Sequence, residues 1–115
     1  MTITMYGIAN CDTIKKAKKW LEAEGVEYQF HDYRKQGIDT ALVKQFCQQL
    51  GWENVLNKRG TTYRQLSAEQ KEALNETNAI ALLVEQPAMI KRPILVVGDD
   101  YHIGFKADQY ATIFS

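Results

Sequence analysis

The sequence predicts a mixed α/β fold, a βαβ unit and a ββα unit with a helical insert between them. Three observations predict it. Residues 2–32 read as strand, helix and strand with tight connections. Residues 37–90 keep helical periodicity and lose the strand signal, and residues 93–114 read as a hairpin followed by a helix. At 115 residues and 45% apolar content, the chain 1–115 has the length of one domain with one compact core.

Each element follows from local chemistry. Ile3 and Met5 mark a short first strand, and a polar turn runs from Gly7 to Asn10. The helix after it carries Ile14, Ala17 and Leu21 on one face, at i, i+3 and i+7, and Glu24-Gly25 ends it with a glycine suited to the left-handed C′ position. Val26, Tyr28 and Phe30 alternate with polar neighbours through Asp32, a half-buried strand that should lie parallel to the first. In the insert, Asp39 can cap a helix bearing Leu42, Val43, Phe46 and Leu50, closed by Gly51. Trp52–Leu56 is a short apolar turn, and 57–62 is a polar loop. Ser67 and Gln70 have capping-box spacing, and Asn75 or Thr77 caps a last insert helix that ends at Pro87. Residues 93–97 and 101–105 flank the turn Gly98-Asp99-Asp100, and 106–114 form a terminal helix with Tyr110, Ile113 and Phe114 on one side. That order is the thioredoxin-like sandwich.

Charge excludes some classes of function. Acids and bases balance at 14 each, seven of each sign in residues 1–57 and seven in 58–115, so no basic arm invites nucleic acid or an anionic membrane surface. The start lacks the basic and apolar regions of a secretory signal, and no apolar run is long enough to span a bilayer. With only two cysteines, a reducing cytoplasm is the expected setting. Cys11 and Cys47, beside His31 and His102, fit no zinc-ligand spacing, and no metal is expected.

One stretch looks built for chemistry. Cys11 sits where the first turn becomes the first helix, where unpartnered N–H groups and the helix dipole favour a thiolate. Lys15, Lys16, Lys18 and Lys19 follow, with Lys15 nearest the sulfur by position. Asn10 and Asp12 can cap the helix, and Asn10 is also a candidate substrate contact. In a thioredoxin-like frame the proline opening the third strand lies beside the first turn, so Arg92-Pro93 should face Cys11, and this X-Pro bond suits the cis form. Lys58 and Arg59 are either solvated or substrate-binding. Cys47 reads as core beside Phe46 and Leu50, with a resolving thiol as the alternative.

Five segments in order, Tyr6-Gly-Ile-Ala-Asn-Cys11-Asp-Thr-Ile-Lys-Lys-Ala, His31-Asp-Tyr-Arg, Leu56-Asn-Lys-Arg-Gly-Thr-Thr, Ile90-Lys-Arg-Pro-Ile and Val97 onward to Gly104-Phe-Lys, resemble the ArsC/Spx/MgsR family over essentially the whole chain. Within it, the YffB-like branch is the most similar. The resemblance implies a redox-active Cys11 and an anion-binding Arg92 followed by a cis proline. Gly7 stands where the glutaredoxin-linked arsenate reductases of the family have histidine. Of their three oxyanion-holding arginines only Arg92 is matched. The second position falls on Asn57, two residues from Arg59, and the third falls within 103–105, where no cation stands. Spx-type regulators often carry a Cys-x-x-Cys switch, whose fourth position here is Ile14.

The expected function is a glutathione-dependent thiol oxidoreductase working through a mixed disulfide on Cys11, with glutathione as co-substrate and no bound cofactor. Arg92, Pro93, Asn10, Lys15, Lys58 and Arg59 are the candidate binding residues. Its other partners would be a small thiol, disulfide or oxyanion substrate and glutaredoxin. Two alternatives stand: an arsenate reductase with an incomplete oxyanion site, and an Spx-type regulator that binds RNA polymerase.

Overall fold

The computed structural model describes residues 2–115. The chain divides into two compact units, one running up to Gly37 and resuming at Arg92–Ser115, the other Ile38–Lys91.

The first unit is built on β1 (Ile3–Gly7), α1 (Asp12–Ala23), β2 (Gln29–Asp32), a single helical turn α2 (Tyr33–Gln36), and then β3 (Ile94–Val97), β4 (Asp100–Ile103) and the last helix, Ala107–Ile113. Its four strands lie in the order β2-β1-β3-β4. β1 and β2 are parallel and the other two pairings antiparallel. Together with the helical segment between β2 and β3, this is the thioredoxin-like architecture predicted from the sequence. Gly7 pairs with Asp32, Tyr6 with Ile94, and Ile94 with Ile103. The ends of β1 and β2, the start of β3 and the end of β4 therefore share one edge of the sheet.

The stripe Ile14, Ala17, Leu21 is fully buried against Met5, Leu95, Val97 and Tyr110. Each large apolar side chain buried there contributes about 1.5–3 kcal/mol. α1 lies close to the strand: a Cβ at Gly7 would run into Ile14 Cδ1. Gly25, at φ 69, takes the left-handed position after the helix. β2 begins at Gln29, later than the alternating pattern suggests, because the Val26 N–H still closes the helix end on the Leu21 carbonyl at 2.9 Å. Val26 and Tyr28 nevertheless pack onto the core.

The second unit is helical: α3 (Thr40–Leu50), α4 (Trp52–Val55), α5 (Thr61–Arg64), α6 (Ala68–Glu72), α7 (Glu76–Glu85) and a 3₁₀ turn Pro87–Met89. Its caps are the expected ones. Asp39 accepts from the Leu42 N–H, Ser67 and Gln70 form a reciprocal capping box, and Asn75, not Thr77, caps α7. The 57–62 loop is shorter than expected. Asn57 Oδ1 accepts from the Arg59 N–H at 3.2 Å, and Gly60 then caps α5, whose Arg64 N–H reaches the Gly60 carbonyl.

Candidate active site

Cys11 sits at the functional edge of the sheet because β1 ends at Gly7 and the chain turns there into α1. One expectation needs correction. Neither Asn10 nor Asp12 caps α1: the N-cap is Cys11 itself, in extended geometry at φ −148°, and Asp12 is already helical. The neutral thiol makes no cap hydrogen bond, being a weak acceptor. Its anion is another matter. Burial opposes ionisation most strongly, but the Ile14 N–H, the hydrogen bond and charge of Arg92 and the Thr13 N–H outweigh it, and the thiol lies below its ordinary value.

Arg92 is half-buried and comes to the sulfur from the start of β3. The Arg92–Pro93 peptide is cis, and the Pro93 carbonyl accepts from the Gly104 N–H at 2.9 Å, joining it to the end of β4. The first unit thus brings Arg92 to Cys11, with Pro93 next to Arg92 in the chain. Asn10 is exposed in the turn before the cysteine, and Lys15 is exposed on α1; the groups that lower the thiol are the two N–H groups and Arg92. Lys18 lies over the Phe30 ring, 3.6 Å from its centroid. Lys58 and Arg59 belong to the other unit, exposed in the turn closed by Asn57.

Sequence reasoning gave Asp32 no role. It is 6% exposed, and its carboxylate accepts from the Ala9 N–H at 3.3 Å and the Arg34 N–H at 2.8 Å. Burial pushes this carboxyl up, but the Arg34, Ala9 and Lys35 N–H groups and the Lys35 charge hold it below its ordinary value. One buried anion thereby ties the loop carrying Cys11 to the end of β2 and caps α2. The signal available was an acid followed by a helical turn, in His31-Asp-Tyr-Arg. Cys47 is buried in α3, and desolvation with the nearby Glu76 charge pushes its thiol up to about 11. Among the described residues no group of three or more His, Cys, Asp or Glu side chains is placed to hold a metal ion.

The ArsC family model matches residues 6–113. The chain belongs to the ArsC family. The solved structure of the YffB protein is 47% identical to this ArsC-family chain, covers 99% of it and 100% of its own length, and superposes with a TM-score of 0.94. An arsenate reductase (ArsC) related protein from Brucella melitensis is 43% identical over 100% of this chain and 96% of its own, at a TM-score of 0.83. The global transcriptional regulator Spx of Lactiplantibacillus plantarum is 24% identical over 93% of this chain and 82% of its own. The family thus includes arsenate-reductase-like proteins and transcriptional regulators. At Gly7 a larger residue would meet the end of the Ile14 side chain, which would have to shift to admit it.

Proposed function

We propose that this protein is a glutathione-dependent thiol oxidoreductase acting through Cys11. The observation that carries the reading is a cysteine on which Arg92 and two helix N–H groups converge, all favouring its anion, with Ile14 in the place of a neighbouring second thiol. The resolving thiol therefore comes from outside, and glutathione is the abundant one. The Cys11 thiolate attacks the glutathionyl sulfur of a mixed disulfide. A new S–S bond forms to Cys11, the old one breaks, and the departing thiolate takes a proton from water. A glutathione thiolate then attacks Cys11–S–SG, releasing oxidised glutathione and restoring the Cys11 thiolate. The net exchange turns a mixed disulfide and one glutathione into a free thiol and oxidised glutathione: the substrate sulfur is reduced as the entering glutathione sulfur is oxidised, and the transferred glutathionyl sulfur stays at the disulfide level. Arg92 grips a glutathione carboxylate, and the backbone around Pro93 supports the peptide.

No helix among the described residues is long and apolar enough to cross a membrane. The chemistry itself calls for a reducing, glutathione-rich compartment, the cytoplasm. Kinship with Spx supports the regulator reading, in which the chain binds RNA polymerase; recovery of polymerase subunits without thiol exchange would favour it. The arsenate reading is tested by a coupled assay with glutathione and glutaredoxin. Turnover of a small glutathione mixed disulfide, with feeble arsenate reduction, is expected. Efficient arsenate turnover that disappears in Arg59→Ala would assign that arginine to the oxyanion and overturn the proposal.

A further inference from the structure

Asp32 ends β2 opposite Gly7, the residue from which the chain turns toward Cys11. Its carboxylate accepts from the Ala9 N–H at 3.3 Å and the Arg34 N–H at 2.8 Å. Its own N–H donates to Gln36 Oε1 at 3.1 Å, which fixes the residue from the backbone as well. The grip continues to the cysteine. The Ala9 carbonyl accepts from the Cys11 N–H at 3.1 Å, and the Cys11 carbonyl accepts from the Lys15 N–H at 3.0 Å, the first bond of α1. Hydrogen bonds thus run from the end of β2 through Ala9 to the first turn of α1. Cys11 is held extended there, at φ −148° and ψ 128°, as the N-cap whose anion accepts from the Thr13 and Ile14 N–H groups.

We infer that Asp32 is a positioning residue for Cys11: through Ala9 it holds the backbone that sets the sulfur against the start of α1. The inference rests on Cys11 being the working thiol of the exchange reading, and it adds what orients that thiol. A turn between two elements has many conformations open to it, and a buried acceptor tied to one of its N–H groups selects among them. Hydrogen bonds to an ionised acceptor are the stronger kind, so a carboxylate suits the task. The Asp32 anion does not do this at the thiolate's expense. The Arg34, Ala9 and Lys35 N–H groups and the Lys35 charge offset it where it sits.

Asp32→Asn keeps the shape but accepts through one oxygen only. The shorter Arg34 bond is the one it keeps, and the Ala9 tie is released. In a Cys47→Ser background, where only Cys11 reacts, the pH profile of iodoacetamide alkylation should then move to higher pH. The rate at pH 7 should fall about three- to tenfold, the worth of one hydrogen bond, and the rates should converge once the thiol is fully ionised. An unmoved profile, with or without a lower melting temperature, overturns the inference and leaves Asp32 a residue of the fold alone. A profile moved to lower pH also overturns it, since the Asp32 charge, not its grip, would then act on the sulfur. A measurement on the native chain decides the matter even where Asp32→Asn fails to fold. As the pH falls, the Ala9 and Cys11 amide signals followed by NMR should move together with the Asp32 carboxyl, at an inflection below the ordinary carboxylate value. A Cys11 amide that ignores this titration overturns the inference. Uptake of oxidised glutathione by the Asp32-intact Cys47→Ser protein is read alongside. No uptake with a shifted profile sinks the exchange reading and keeps Asp32 as the positioning residue; uptake with an unmoved profile does the reverse.

Discussion

Replacing Cys11 by Ser should slow alkylation of the protein at pH 7 by about a hundredfold, although a second cysteine remains. The remaining thiol is Cys47, which is 4% exposed and pushed up to about 11, so at pH 7 only about one molecule in ten thousand carries its thiolate. Cys11 lies below the ordinary thiol value and is ionised in at least a few per cent of molecules. Part of that advantage is offset, because a more basic thiolate is a better nucleophile, by about tenfold over this span. Burial of Cys47 then restores the gap by denying access to the reagent. Rates measured with iodoacetamide in Cys11→Ser and Cys47→Ser proteins check this. Comparable rates would show that Cys11 is not tuned.

Arg92→Ala should raise the Cys11 pKa and reduce both thiolate reactivity at neutral pH and carboxylate binding, while the fold survives. A hydrogen bond to a charged group is worth about 1.5–3 kcal/mol, and Cys11 is only half-buried, so solvent screening puts the expected loss near the lower end, about tenfold. The sign follows from the two protonation states. Arg92 favours the anion, and without it a given thiolate fraction is reached only at higher pH. The shift is partial, because the Ile14 and Thr13 N–H groups remain. A titration of alkylation rate against pH in the Cys47→Ser background reads it directly. Arg92→Lys returns charge without the planar fork, so full activity in that variant would exclude a bidentate role.

Much of this was legible because the deciding interactions are local. The apolar spacing of Ile14, Ala17 and Leu21 lies within one helix, and the Asp39 and Ser67 caps span three residues. The hairpin announces itself by Gly98, at φ 62 after the apolar strand Ile94–Val97 and before Asp100–Ile103. The resemblance in sequence motifs extends the reading to Arg92 and the cis proline. What stayed hidden depends on register. Asp32 reaches the Ala9 N–H only because β2 lies parallel to β1 with Gly7 opposite Asp32, a contact across 23 residues. The cap of α1 was misread because Asn10 and Asp12 are good capping residues by type, whereas the chain places the sulfur of Cys11 there. The lysines after Cys11 suggested a cationic field, yet Lys15 points its charge to solvent and Lys18 covers Phe30.

The central claim, a monothiol exchange with glutathione at Cys11, is tested most directly by intact mass after incubation with oxidised glutathione. The account predicts a single glutathionyl adduct on the native chain and on Cys47→Ser, removed by added glutathione, and none on Cys11→Ser. An unmodified native chain, or an adduct that persists on Cys11→Ser, would contradict it.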